Sequence, residues 1–305
     1  MKQIQTRRRN PVKPSTLASY RSRLNRILPD LGEMDLSQIE NGVMKSFVAV
    51  LSRDGLSASA INSLVSLIKE VVGSAVDVNG NELYPRKWNS EFMDLPVINR
   101  REQKAPIASA NAVWEAISQS NGQEKALYAL LAGSGLRVGE ALALRYGPDN
   151  GKDSYWSPET GTVVIRTTLN IKNGQIMSTP KTEAGIREVD LNLELNNFLC
   201  SQLTGNDTPT QTLVFHNQAG RPVRFNTLRE DAIEAGILSQ FHSLRRFRIT
   251  HLESVGVPPG LQRFWTGHAA GDVHEQYIKM ADRVQDRKFW AEKAGLGFRV
   301  KREGK

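Results

Sequence analysis

The chain has 305 residues, a formal net charge of +8 and a hydrophobic fraction of 39%, so it is long enough for two domains with separate cores. No apolar run reaches the roughly 18 residues that a membrane-spanning helix needs, and the charged N-terminus lacks the apolar stretch of a secretory signal. The single cysteine, Cys200, excludes an internal disulfide and a cysteine-cluster metal site. We therefore expect a cytoplasmic protein without a membrane partner.

Positive charge is concentrated in the first 30 residues, which carry eight basic side chains and one acidic side chain. A clustered excess of this kind favours a polyanionic partner such as nucleic acid, and the alternative is a solvated basic tail. The side chains of this segment that we expect to contact DNA are Arg7, Arg8, Arg9, Lys13 and Arg21.

Residues 12–85 predict a small helical bundle that follows a basic tail, residues 1–11. Apolar side chains recur at helical spacing in residues 16–28 and again in residues 58–76. A third helix between these two is predicted to end near Gly55.

Residues 86–106 lack clear periodicity and carry prolines and charges, which predicts an extended linker. A second domain begins near Ile107 and extends to residue 280. Helical patterns in its first part give way to short segments rich in Val, Ile and Thr between residues 161 and 191, and helices return from about residue 224. The predicted fold is mainly α with a small β-sheet: a helical N-terminal bundle, an α+β second domain and a C-terminal segment, residues 281–305.

The sequence HSLRR, residues 242–246, places a histidine and two arginines within one helical turn. Arg245 continues at helical spacing into Ile249 and Leu252, an apolar stripe, whereas Arg246 continues into polar side chains and is predicted to be solvated. Arg245 should lie at the edge of a core, where a cation is costly unless it meets an anion. That anion is either a protein carboxylate from elsewhere in the fold or a bound phosphate.

A second arginine, Arg137, follows a glycine-broken helix junction in the stretch SGLRVGEALALRY. Glu140, three residues on, can orient the guanidinium without filling both of its donor edges. Taken alone, this pattern also fits a simple surface ion pair between residues i and i+3.

In their order along the chain, these motifs resemble those of the tyrosine recombinase, or phage-integrase, family of site-specific DNA recombinases. The family's tGLRisEl-LRW stretch corresponds to SGLRVGEALALRY, its lysine hairpin to PKTEAGIREVDL, its HxLRh box to HSLRR and its lGH box to WTGH. A tyrosine stands nine residues after that last histidine, where the family has its nucleophile. The corresponding catalytic positions are Arg137, Lys181, His242, Arg245, His268 and Tyr277.

The chemistry of these residue types agrees with transfer of a phosphodiester. A phenol has a pKa of ~10, so Tyr277 needs cationic neighbours or a base to react at neutral pH. Arg137 and Arg245 can each offer paired N–H groups to the non-bridging oxygens of a phosphate and offset the extra charge of its transition state.

The resemblance implies roles for the remaining positions. The family assigns protonation of the leaving 5′ oxygen to the hairpin lysine, which is Lys181 by motif, with Lys172 near a neighbouring turn as the alternative. His242 is the expected acid/base partner of the tyrosine, and His268 is the expected hydrogen-bond donor to a phosphate oxygen. Glu140 is expected to support these residues rather than to react.

The resemblance also implies a two-domain clamp around a double-stranded DNA recombination site, a tetramer of the chain on DNA, and no cofactor or metal. Arg187, in the lysine hairpin, is expected to contact the DNA backbone or to form a cross-strand ion pair, and Arg246 is expected to contact DNA. Residues 281–305 either exchange between protomers or pack on their own domain. Accessory DNA-bending or directionality proteins and an association with the nucleoid are further expectations.

The function that the resemblance implies is integration and excision of a mobile element through a 3′-phosphotyrosyl intermediate. A Xer-like resolvase or an invertase would use the same chemistry, and a type IB topoisomerase would use a related reaction. A catalytically idle DNA-binding regulator is the alternative from another class. The complete set of six positions argues against it, because binding alone does not require a tyrosine at position 277.

Overall fold

The computed structural model describes residues 12, 14–99, 107–147, 150–177, 186–203, 211–234, 241–268 and 280–300. The chain divides into two compact units, Met1–Lys104 and Ala105–Lys305, and each has a hydrophobic core of its own. The first unit is helical and the second combines helices with a small sheet, so the predicted fold class is confirmed. In the described ranges, no helix is long and apolar enough to cross a membrane.

In the described residues of the first unit there are three α-helices, α1 (Pro14–Leu31), α2 (Asn41–Arg53) and α3 (Ala58–Gly73), and a short 3-10 turn at Leu36–Gln38. Their apolar faces meet in one core, as the helical spacing of these residues predicts. The fully buried members of this core include Met44, Phe47, Leu51, Ile61, Val65 and Ile68.

Part of the predicted linker, residues 86–106, belongs to the first unit instead. Met93 is 0% exposed in the core of the bundle, and Trp88 packs against the same core. The side-chain amide of Asn41 donates a hydrogen bond of 3.0 Å to the carbonyl of Lys87 and holds the segment to α2. The prediction of an extended linker is wrong here, because isolated apolar residues without a period still bury their side chains when a neighbouring surface is available.

The second unit is built around α5 (Gly122–Ser134), in which every residue from Ala126 to Ser134 is buried. Gly135 follows with a left-handed φ of +73°, so the predicted helix break lies at this residue. The other α-helices in the part of this unit that the structure describes are α4 (Ala110–Gln119), α6 (Val138–Ala141), α7 (Leu193–Leu203), α8 (Phe225–Glu234), α9 (His242–Ser254), α10 (Pro259–Thr266) and α11 (Val284–Ala294).

A four-stranded sheet has the order β1 (Arg145–Tyr146), β2 (Tyr155–Ser157), β3 (Thr162–Ile165) and β6 (Arg187–Asp190). The β1–β2 pair is parallel, and the other two pairs are antiparallel. A separate hairpin pairs β4 (Thr168–Leu169) with β5 (Ile176–Met177). The sequence did not predict β1 and β2, because two or three residues are too few to show an alternating pattern.

The C-terminal segment packs on its own unit as far as residue 300. Helix α11 contributes Ala291 and Ala294 to the core, and the following Leu296, Phe298 and Val300 are buried in it as well. Within this single chain, residues 281–300 thus pack on their own unit. Exchange of the segment 281–305 between protomers stays a prediction. Residues 301–305 lie outside the described residues.

Candidate active site

Helix α9 begins at His242 and places Arg245 and Arg246 in different surroundings. Arg245 is 2% exposed, whereas Arg246 is half-buried and His242 is exposed. The difference between the two arginines follows from the helical stripes, since Arg245 shares its face with Leu252 in the core.

The guanidinium of Arg245 is held by backbone carbonyls. Its Nη1 donates to the carbonyl oxygen of Gly135 at 2.6 Å, and its Nη2 donates to that of Thr266 at 2.5 Å. None of the ion pairs between described residues joins a carboxylate to Arg245. Burial, followed by the charge of Arg137, lowers the pKa of Arg245 to about 10, so the group is still a cation at neutral pH. Partial dipoles thus position this cation without cancelling its charge, which leaves it able to attract an anion.

Arg137 is the exposed member of a buried ion-pair network. Its Nη1 donates to Oε1 of Glu140 at 2.8 Å, and its backbone N–H donates to Oε2 of the same carboxylate at 2.9 Å. The side chain of Arg137 is 45% exposed, while that of Glu140 is 3% exposed. As the sequence predicts, Glu140 orients Arg137 and leaves part of its guanidinium accessible.

Glu140 carries a negative charge in spite of its burial. Burial alone would raise the pKa of this carboxyl group, but hydrogen bonds and charges from Arg187 and Arg137 outweigh that effect and lower it. The ionised form of Glu140 is therefore the stable one at neutral pH.

Arg187 differs from its predicted role in DNA-backbone contact. The side chain is 1% exposed and forms an ion pair with Glu140, with Nη2 2.8 Å from Oε2. Strand β6 turns Arg187 to the same side as the buried Val189, and Glu140, which pairs with Arg187, lies on α6. The prediction of a DNA contact is therefore corrected, because the side chain of Arg187 is buried.

His268 follows the left-handed Gly267 that ends α10. Its Nε2 lies 3.1 Å from Nη2 of Arg245, and its Nδ1 lies 3.3 Å from the hydroxyl oxygen of Thr266. Burial, followed by the charges of Arg245 and Arg137, lowers the pKa of His268. Since a guanidinium can only donate, Nε2 accepts in this contact, and the proton of the neutral ring is on Nδ1.

The same positive field reaches His242. Although the His242 side chain is exposed, partial desolvation of its ring lowers its pKa, and the charges of Arg246, Arg245 and Arg137 lower it further. The structure thus brings four of the six predicted catalytic positions together: two guanidinium groups and two imidazoles that are neutral at neutral pH. Such a surface favours binding of an anion with several oxygen acceptors.

The remaining predicted residues are placed as follows. Lys181, Tyr277, Arg7, Arg8, Arg9 and Lys13 lie outside the described residues. Arg21 is exposed on α1 in the first unit.

The sequence did not predict a second buried network, which is centred on Arg287 and Asp190. Arg287 on α11 donates from Nε to Asp190 at 2.8 Å, and from Nη1 to the carbonyls of Met280 and Ala281 at 2.8 and 2.6 Å. The indole N–H of Trp265 donates to the same oxygen of Asp190 at 2.9 Å. This network joins the residues that follow the predicted nucleophile segment to strand β6. The sequence around Arg287 has no helical period that would have indicated this network. For Arg187, by contrast, the alternation of side chains along β6 could have indicated that it points inward with Val189.

Comparisons with known proteins relate this fold to integrases. Residues 5–51 match the family model of the phage integrase N-terminal SAM-like domain. No curated protein matches the chain. Among solved structures, the chain is similar to the Tn1549 transposon integrase in complex with transposon right end DNA. That match has 21% identity and a TM-score of 0.63, and it covers 93% of this chain and 97% of that one.

Two structures of lambda integrase are also similar. A dimer bound to a COC′ core site matches with 15% identity and a TM-score of 0.57, covering 94% of this chain and 93% of that one. A tetramer bound to a Holliday junction matches with 16% identity and a TM-score of 0.52, covering 88% and 72%. The chain therefore has the fold of these integrases.

Proposed function

We propose that this chain is a tyrosine recombinase of the phage-integrase type, which cleaves and rejoins DNA strands at specific sites through a 3′-phosphotyrosyl intermediate on Tyr277. The observation that carries the proposal is the meeting of Arg137, Arg245, His242 and His268 at one surface of the second unit. They come from three separate parts of the chain and match the family motifs in order. A catalytically idle DNA-binding regulator with the same fold is the alternative.

In this proposal, the two guanidinium groups bind the scissile phosphate. Arg245 is fixed by two carbonyls and Arg137 by Glu140, so little reorganisation is needed when phosphate enters. Preorganised donors of this kind stabilise the additional charge that develops on the non-bridging oxygens in the transition state. The 45% exposure of the Arg137 side chain provides access for the DNA strand.

In the proposed reaction, the imidazole of His242 accepts a proton and that of His268 donates a hydrogen bond. His242, neutral at neutral pH, can accept the proton of the Tyr277 phenol as its oxygen attacks phosphorus. For Nε2 of His268 to donate to a phosphate oxygen, the ring must change tautomer or become protonated. The negative charge of a bound phosphate favours protonation, because an adjacent anion raises the pKa of an imidazole.

In the cleavage step, Lys181 is the acid that protonates the leaving oxygen. The phenolic oxygen of Tyr277 forms a bond to phosphorus, the bond from phosphorus to the 5′ oxygen breaks, and the ammonium group of Lys181 supplies the proton that the leaving oxygen takes. In the return step, a 5′-hydroxyl of a partner strand attacks the phosphotyrosine and releases the phenol. No metal, cofactor or nucleotide takes part in this scheme.

We further propose a double-stranded recombination site as the partner, a tetramer of the chain on DNA, and integration or excision of a mobile element as the role. The support is the similarity to integrases solved with DNA, one of them as a dimer and as a tetramer. The proposed setting is the cytoplasm, in association with the nucleoid, with accessory DNA-bending or directionality proteins. A Xer-like resolvase or invertase role would use the same site.

The test is covalent trapping of the wild-type chain. A pool of duplexes with a randomised central segment and a nick close to it is incubated with the protein in EDTA, and the complexes that survive SDS and heat are sequenced. After cleavage, the short fragment beyond the nick diffuses away and cannot attack the phosphotyrosine, so the covalent complex accumulates. Because a recombinase cleaves at a specific site, we expect the trapped duplexes to share a sequence. Protease digestion should then give a peptide with a nucleotide on Tyr277. DNA that binds but is never trapped would favour the regulator.

Lys181→Ala is expected to lose cleavage of ordinary DNA and to regain it on a duplex with a 5′-bridging phosphorothiolate, because sulfur leaves without protonation. Single-turnover formation of the covalent complex measures both rates. Lys172→Ala is the matched control, since Lys172 is exposed at the turn between β4 and β5. It should cleave both substrates like the wild type. If Lys172→Ala, and not Lys181→Ala, loses cleavage of ordinary DNA and regains it on the phosphorothiolate, Lys172 is the acid.

A further inference from the structure

We propose that Arg187 is a positioning residue that fixes Arg137 and His268 relative to each other from beneath the active site. This inference rests on the proposed function, because it concerns the same phosphate-binding surface. Arg187 itself is buried and would not touch DNA.

Arg187 and Arg137 share the carboxylate of Glu140. Oε1 of Glu140 accepts from Arg137 at 2.8 Å and from Arg187 at 3.3 Å. Oε2 accepts from the Arg137 backbone at 2.9 Å and from Arg187 at 2.8 Å. Each oxygen therefore has one partner from each arginine. Without Arg187, the buried carboxylate would keep only the half-exposed Arg137, and its orientation would no longer be fixed.

Arg187 also contacts the turn that precedes His268. Nε of Arg187 donates to the carbonyl oxygen of Trp265 at 2.7 Å. The guanidinium also packs directly against Gly267, since a Cβ atom at this glycine would lie 2.8 Å from Nη1 of Arg187. Arg187 therefore fills the space under the residue that precedes His268.

Charge explains why an arginine suits this place. A buried cation is costly unless it is paired and hydrogen-bonded, and Arg187 has both a carboxylate and a carbonyl as partners. Its planar fork reaches Glu140 with two nitrogens and Trp265 with the third. A lysine would keep the charge but has a single nitrogen, so it could not hold both partners in the same geometry.

The test compares Arg187→Lys with the wild type on two nicked duplexes that carry the trapped sequence. One has an ordinary phosphodiester at the cleavage position, and the other has a methylphosphonate, in which a methyl group replaces one non-bridging oxygen and removes the negative charge. Because arginine positioning matters most when that charge must be stabilised, we expect cleavage of the phosphodiester to fall by about 10²-fold. The loss on the methylphosphonate should be much smaller. Arg137→Ala should give the same pattern.

Arg145→Lys is the matched control, because Arg145 also bonds a backbone carbonyl, that of Gln211, but has no contact with Glu140 or His268 in the described residues. It should cleave both substrates at the wild-type rate. Equal losses on the two substrates in folded Arg187→Lys would overturn the positioning role. If Arg187→Lys does not fold, Glu140→Gln replaces it, and the same substrate dependence is required. Failure of the wild type to form any covalent complex would instead overturn the proposed function.

Discussion

Tyr277→Phe is expected to abolish the covalent DNA complex while leaving DNA binding unchanged. The substitution removes only the phenolic oxygen that would attack phosphorus, whereas binding depends on contacts to many phosphates. Two other tyrosines of the second unit are poor substitutes as nucleophiles. Tyr128 is 1% exposed, and burial raises the pKa of Tyr146 to about 12. Covalent complex is measured on denaturing gels with the trapped sequence, and binding is measured by gel shift at fixed salt.

Tyr155→Phe is the matched control for this substitution. Tyr155 lies half-buried on β2, and its ring, which packs against Arg166, is kept in phenylalanine. The variant should form the covalent complex at the wild-type rate. A covalent complex with Tyr277→Phe would contradict the assignment of the nucleophile, and the modified peptide would then identify the residue that reacts.

Arg137→Ala is expected to slow cleavage by about 10²- to 10³-fold, the usual effect of removing one donor that stabilises transition-state charge. The fold should survive, because the Arg137 side chain is 45% exposed and Glu140 keeps its ion pair with Arg187. Arg245→Lys should have a comparable effect, since lysine lacks the planar fork that serves two carbonyls and a phosphate together. Single-turnover rates at saturating DNA measure the loss, and thermal melting checks folding.

Arg246→Ala provides the contrast on the same helix. Arg246 is half-buried and predicted to contact DNA, so its loss should weaken affinity and lower the slope of binding against salt by about 1. At saturating DNA, and at a pH well above the ordinary imidazole value so that His242 is neutral with or without the Arg246 charge, its cleavage rate should match the wild type. A parallel loss of affinity and cleavage in folded Arg137→Ala would contradict a role for Arg137 in the chemical step.

Local sequence was sufficient for several features of this protein. The helices of the first unit follow from apolar residues at helical spacing, because a single apolar face must find a core. The difference between Arg245 and Arg246 follows from the same geometry, since neighbouring residues on a helix point in different directions. The link from Arg137 to Glu140 spans only three residues, so it too could be predicted.

Other features depended on contacts between distant parts of the chain. Arg187 meets Glu140 across 47 residues and Trp265 across 78, and Arg245 meets Gly135 across 110. The periodicity of a single helix or strand cannot predict contacts between residues so far apart in the sequence. Whether an arginine faces DNA or lies buried is decided by the free energy of pairing its charge, and that depends on which groups the fold brings near.

By itself, the sequence determined the helical and mixed composition of the two units, and the order and chemical types of the residues that resemble a recombinase site. Only the tertiary structure decided that Arg187 is buried beside Glu140, that Met93 joins the first core and that Val300 packs in the core of the second unit. The physical reason is that periodicity reports which face of an element is apolar, whereas burial of a charge or of an isolated apolar side chain depends on the surface that receives it.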